Sequence, residues 1–129
     1  HRAITLASIV EKEAANNSEK PVIASVFLNR LKIGMPLQSD PTYKYAAFLK
    51  GIAPNRDIDS PYNTYKIVGL PPGPISNTSK ASLESVARPA QTDYLYFVAG
   101  DDNVTRFSKT LEEHQALVKQ YCIKKCSTF

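Results

Sequence analysis

Residues 35–78 hold Pro36, Pro41, Pro54, Pro61, Pro71, Pro72 and Pro74, seven of the nine prolines in the chain, together with three of its five glycines. Proline fixes φ and lacks an N–H donor, so neither a long helix nor a central strand can run through this segment. Loops of such length are uncommon in a compact domain and are either functional or disordered. Disorder is disfavoured, because the segment also carries Tyr43, Tyr45, Phe48, Tyr62, Tyr65, Ile67, Val68 and Leu70, and disordered chains are poor in aromatics. An ordered, site-forming excursion is therefore expected, with one short helix near 41–48. The run GLPPGPI at 69–75 should form a stiff wall that loses little entropy when a ligand arrives.

The flanking sequence is more regular. Helices are predicted at 6–15, at 19–32 with Pro21 in the first turn and Gly34 as the stop, and at 79–87 ahead of Pro89. YLYFVAG at 94–100 reads as a strand, Asp101-Asp102-Asn103 as a turn and 104–108 as its hairpin partner. A last helix is expected over 110–124, opened by Thr110 with Glu113 at capping-box spacing. The class is α+β: helices packed around a small antiparallel hairpin, with the long proline-rich region forming the site. Strands do not alternate with helices, which excludes a doubly wound parallel sheet.

At 129 residues the chain suits one domain, 1–129, and reads as a piece of a longer protein. Sixteen Lys and Arg against twelve Asp and Glu leave a net charge of +4, which favours an anionic partner. The basic residues are scattered apart from Lys124 and Lys125, and no basic patch alternates with aromatics, so nucleic acid is not expected. Cys122 and Cys126 stand four apart in the predicted last helix, where a continuous backbone does not aim two such side chains correctly for a disulfide, and the sequence leaves their redox state open. His1 and His114 lack ligand spacing to these cysteines, and neither a metal nor a cofactor is expected.

Most of the chemistry lies in SIVEKEA, residues 8–14. Glu11 and Glu13 point about 200° apart on a helix and cannot converge on one bond. At about 100° per residue, Glu13 falls between Leu6 and Ile9 on the apolar side, while Glu11 lies nearer Ile4, Ala7 and Ala15. A carboxyl among aliphatic side chains has its charged form disfavoured, which prepares it to donate a proton near neutrality. From composition alone, the plainer account is that one glutamate is solvated and the other meets a cation such as Arg30.

Several blocks bear on that choice: ASIVEKE (7–13), NRL (29–31), GMPLQSDPT (34–42), SPYNTYKIVGLPPGPI (60–75), TDYLYFVA (92–99) and FSKTLEEH (107–114). In this order, from about residue 6 to residue 121, they resemble the catalytic domain of the YceG-like (MltG) endolytic murein transglycosylases. The chain departs from the pattern at Thr105-Arg106, where the family commonly has Gly-His, and at DPTYKYA (40–46), where an aliphatic pair would precede the tyrosine.

The resemblance implies an enzyme that cuts the bond between N-acetylmuramic acid and N-acetylglucosamine within peptidoglycan strands, leaving 1,6-anhydro ends. It places the catalytic acid on the second glutamate of the helix motif, Glu13, with Glu11 as the fallback. Gln38, Ser39 and Asp40, with Tyr62, Asn63, Thr64 and Tyr65, would offer hydrogen bonds and aromatic faces to the sugars, although QSDP could equally form a helix-capping turn. His114 is expected at the surface. The resemblance further implies a bacterial envelope protein held in the cytoplasmic membrane by an N-terminal helix beyond this chain. Its partners would be peptidoglycan strands and wall-synthesis proteins such as penicillin-binding proteins. Two alternatives stay open at this point: a hydrolase using Glu13 with Asp40, and a glycan-binding module without turnover.

Overall fold

The computed structural model describes residues 1–126. Its elements are α1 (Arg2–Glu13), α2 (Lys20–Ile33), α3 (Asp40–Lys50), α4 (Lys80–Ala87), β1 (Tyr96–Ala99), β2 (Thr105–Ser108) and α5 (Leu111–Tyr121). The expected α+β class holds: five helices and a two-stranded antiparallel sheet in which Phe97 faces Phe107 and Val98 faces Arg106. No helix among the described residues is long and apolar enough to cross a membrane.

α1 and α2 build the core because their apolar residues recur at helical spacing. Leu6, Ile9 and Val10 of α1 meet Ile23, Ala24 and Phe27 of α2, with Leu37 and Ile75 closing the cluster. Phe97 and Phe107 seat the hairpin on this core, Phe97 meeting Phe27 edge-on with ring centres 5.8 Å apart. α2 stops where expected. Gly34 takes the left-handed conformation at φ 72°, and its N–H and that of Met35 satisfy the last carbonyls of the helix.

The proline-rich segment is ordered by specific anchors. Its helix α3 extends beyond the predicted 41–48 and packs Tyr43, Ala46 and Ala47 against Ile58. The GLPPGPI wall is tied to α1 through Ser8, which is fully buried. Its Oγ accepts from the N–H of Ile75 at 3.0 Å, and its carbonyl accepts from the Ser76 hydroxyl at 3.0 Å.

Glu11 fastens α1 to α4. Its Oε1 accepts hydrogen bonds from the N–H of Ser79 and the hydroxyl of Ser82, each at 2.8 Å, and lies 3.6 Å from Lys20 Nζ. The Ser79 and Ser82 bonds, with help from the Lys20 charge, hold its pKa down to about 2. A depressed carboxyl pKa contributes stability above the unfolded pKa, near 4.5, and that contribution disappears as pH falls through about 2. Because Glu11 keeps some solvent exposure, the full shift overstates the effect. Glu11→Gln is expected to cost about 1–2 kcal/mol at pH 7 in urea unfolding, and its curve should converge with wild type near pH 2.

One expectation is corrected at the C-terminal end. α5 stops at Tyr121 rather than continuing to 124, and Cys122 and Cys126 form a disulfide with Cα atoms 5.4 Å apart. The premise of a continuous helix fails because Asp101, in the hairpin turn, captures the segment that follows. Its carboxylate accepts from the N–H groups of Ile123, Lys124 and Lys125, and its own N–H donates to the Tyr121 carbonyl. These bonds replace the helical ones, and the tightened turn brings the two sulfurs together.

Candidate active site

Glu13 continues the buried stripe of α1, following Leu6, Ile9 and Val10 at helical spacing, and is the last helical residue. Ala14 turns extended at ψ 133°, so the chain leaves the helix as the carboxyl emerges into a cleft of about 570 Å³. Burial raises its pKa first and most, and the neighbouring Asp40 charge adds to the rise. The Ser39 hydrogen bond, Lys44 and Arg30 pull the other way, and the balance puts it at about 7. The C-terminal end of α1, where the helix dipole is negative, further disfavours a carboxylate there.

Ser39 is the N-cap of α3, yet its hydroxyl makes no capping bond. Instead Oγ donates to Glu13 Oε1 at 3.0 Å, while the Ser39 N–H donates to Thr64 Oγ1 at 2.9 Å. A helix gives up its usual cap to hold one carboxyl oxygen, and Oε2 takes no hydrogen bond among the described residues. Removing the hydroxyl removes a bond to the charged form. Ser39→Ala should therefore move the alkaline limb of any Glu13-dependent rate to higher pH by about one unit, measured as a pH–rate profile.

Of the residues expected to meet substrate, Gln38, Asp40 and Tyr65 line the cleft with Glu13. Gln38 has φ 53°, a left-handed conformation that is uncommon outside glycine and here turns the chain into α3. Asp40 accepts a hydrogen bond from the Tyr65 hydroxyl and lies 3.7 Å from an Arg56 nitrogen.

The YNTY residues before Tyr65 are placed differently. Asn63 and Thr64 are fully buried. Asn63 Nδ2 donates to the carbonyls of Arg56 and Ile58, and Thr64 Oγ1 joins Thr42 Oγ1 at 2.8 Å. Tyr62 packs edge-on against Tyr45 with ring centres 5.1 Å apart, outside the cleft lining. For Asn63 and Thr64 the expectation of substrate contact is corrected to a structural role: they hold the loop so that Ser39, itself buried and outside the cleft lining rather than exposed to substrate as expected, reaches Glu13, while Tyr65 reaches the cleft. Glu11, the fallback acid, is likewise outside the lining, ionised and engaged by α4.

The YceG-like family model matches residues 1–120. The chain belongs to the YceG-like family. It is 47% identical over 128 residues to the endolytic murein transglycosylase of Bacillus subtilis (strain 168), covering 97% of this chain and 36% of that protein. It is 39% identical over 127 residues to the endolytic murein transglycosylase of Streptococcus pneumoniae (strain D39), covering 92% and 23% respectively. A crystal structure of a yceG-like protein from Listeria monocytogenes superposes with a TM-score of 0.83 at 49% identity, over 91% of this chain and 39% of that one. The chain thus spans about a third or less of the length of these two transglycosylases.

Other cleft residues of this YceG-like domain were not singled out from the sequence as parts of the site. Arg30 is 6% exposed; its Nε donates to the Leu95 carbonyl at 2.7 Å and its Nη1 to the Leu37 carbonyl at 2.6 Å. It ties the hairpin and the approach to Gln38 onto α2, and places a cation beside Glu13. An arginine recurring with Ile23 and Phe27 on a buried helical face was the available signal. His114, expected at the surface, is half-buried and lines the cleft, because α5 packs on the hairpin and turns that side inward. Thr105, at the family's Gly-His position, also lines the cleft and donates to Glu19 Oε2 at 2.9 Å.

Proposed function

We propose that this chain is the catalytic domain of an endolytic lytic transglycosylase that cleaves the β-1,4 bond between N-acetylmuramic acid and N-acetylglucosamine within peptidoglycan strands. The observation that carries this reading is the Glu13 carboxyl: a half-buried acid opening into a cleft, with a pKa near 7 and one oxygen held by Ser39. The names of the relatives support the substrate class.

With Oε1 accepting from Ser39, the acidic proton resides on Oε2. Oε2 donates it to the glycosidic oxygen, the bond from that oxygen to the muramyl C1 breaks, and N-acetylglucosamine leaves with a free 4-hydroxyl. The Glu13 carboxylate then takes the proton from the muramyl C6 hydroxyl as O6 closes on C1. A 1,6-anhydro ring forms, Glu13 is again protonated and no water is consumed. The internal hydroxyl replaces an ordered water through its effective molarity, so one carboxyl suffices.

A hydrolase with Asp40 as nucleophile or base is the weaker reading, since Asp40 already accepts from Tyr65 and faces Arg56. A binding module without turnover would have no need of a carboxyl poised near pH 7. The full-length protein would act in the bacterial cell envelope, anchored to the cytoplasmic membrane by an N-terminal helix with this domain outside, beside wall-synthesis proteins such as penicillin-binding proteins.

The test is mass spectrometry of soluble products after digesting purified peptidoglycan in ¹⁸O-labelled water. Unlabelled anhydro-muramyl ends are expected; labelled reducing ends would replace this reading with the hydrolase, and intact strands with a binding module.

A further inference from the structure

On α5, Leu111, His114 and Val118 face the cleft at helical spacing. Leucine or phenylalanine at the middle position would continue the apolar row, so the imidazole there carries a desolvation cost that packing does not require. That cost is visible: His114 Nδ1 is buried and has no hydrogen-bond partner among the described residues. The ring stacks on Tyr96, with centres 5.1 Å apart and planes 26° apart, and the Arg30 guanidinium lies 5.3 Å from the centre of the same Tyr96 ring.

Burial first, and the Arg30 charge second, hold the His114 pKa below its ordinary value, so the ring is neutral near pH 7. A neutral imidazole carries one proton. With its proton on Nε2, the neutral ring leaves a bare lone pair at the buried Nδ1 and presents Nε2 as the donor.

We infer that His114 is a substrate-contacting residue, donating from Nε2 to an oxygen of the glycan, with the His114–Tyr96 stack supporting a sugar on the α5 and β1 side of the cleft. The inference rests on the glycan-cleaving reading above. It extends the site from the Gln38–Asp40–Tyr65 side to the hairpin side, so that a strand crossing Glu13 is held on both.

Binding of a peptidoglycan-derived tetrasaccharide of alternating N-acetylglucosamine and N-acetylmuramic acid, measured by calorimetry in a Glu13→Gln background, tests this without turnover. Adding His114→Phe, which keeps a flat ring and removes the donor, should weaken Kd about tenfold, whereas His114→Gln, which keeps an amide donor, should restore part of the loss. In the otherwise wild-type enzyme, His114→Phe should raise KM about tenfold, with a much smaller fall in kcat. Unchanged affinity in His114→Phe would overturn the role of His114 while leaving the glycan-cleaving reading intact. Equal weakening by Phe and Gln, accompanied by a lowered Tm, would make His114 a packing residue only. A wild-type protein that neither binds nor cleaves the glycan would remove both readings together.

Discussion

Glu13→Gln is expected to lower strand cleavage by about a thousandfold and, at the same time, to make the protein more stable above pH 7. The loss follows from removing the proposed proton donor, since general acid–base catalysis contributes about 10²- to 10⁴-fold. The gain follows from linkage. The folded pKa of Glu13 is raised from 4.5 to about 7, so the carboxyl is neutral in both states at low pH, and the fold loses stability from the pH at which the unfolded carboxyl begins to ionise. Stability tied to this group is fully present below about pH 4.5 and declines as pH rises through about 7. At about 1.4 kcal/mol per pH unit, the interval from 4.5 to about 7 corresponds to a burden of about 3.5 kcal/mol above pH 7, which the uncharged glutamine escapes. Urea unfolding of wild type and Glu13→Gln at pH 4 and pH 8 checks this: the curves should nearly coincide at pH 4 and separate at pH 8 in favour of the variant. A variant less stable than wild type at both values would show that the carboxyl holds the fold together rather than straining it.

Arg30→Met should have the largest effect on stability among the cleft residues and a distinct effect on pH dependence. It leaves the Leu37 and Leu95 carbonyls without their charged donor, at about 1–3 kcal/mol for each buried acceptor, so a loss of about 3 kcal/mol is expected. Removing the cation also removes one of the influences that lowers the Glu13 pKa. The acid therefore stays protonated to higher pH, and the alkaline limb of the rate profile moves up. Arg30→Lys separates the two effects: it keeps the charge, and with it the profile, but an ammonium does not reproduce the guanidinium fork that serves both carbonyls. Paired thermal melts and pH–rate profiles would show whether this division holds.

What was legible in the sequence follows from how local each signal is. Glu13 could be placed because Leu6, Ile9 and Val10 fix the inward face of α1 by spacing alone, and its environment depends mostly on that face. Asn63 and Thr64 could not be sorted the same way. A polar side chain reserved for a carbonyl seven residues away looks, in sequence, like one reserved for a sugar, and only the fold shows that Arg56, Ile58 and Thr42 are the partners. The end of α5 was misread for a related reason: the group that stops it, Asp101, lies about twenty residues upstream, and its bonds to the Ile123, Lys124 and Lys125 amides leave no trace in helical periodicity. His114 depends on docking α5 onto the hairpin, which residue spacing within α5 does not reveal.

The distribution of the cleft along the chain has a consequence for assembly. Glu13 lies close to the start of the described residues, its partner Ser39 and the Asp40–Tyr65 side come from the middle, and Tyr96, His114 and the cystine come from the last third. Contacts between such distant residues form late, because closing long loops is entropically costly. Until α5 has docked, the cleft into which Glu13 opens lacks its α5 wall, and a chain laid across it would be held on one side only. A productive cleft thus waits for completion of the fold, and a partly folded chain should be inert in the strand-cleavage assay.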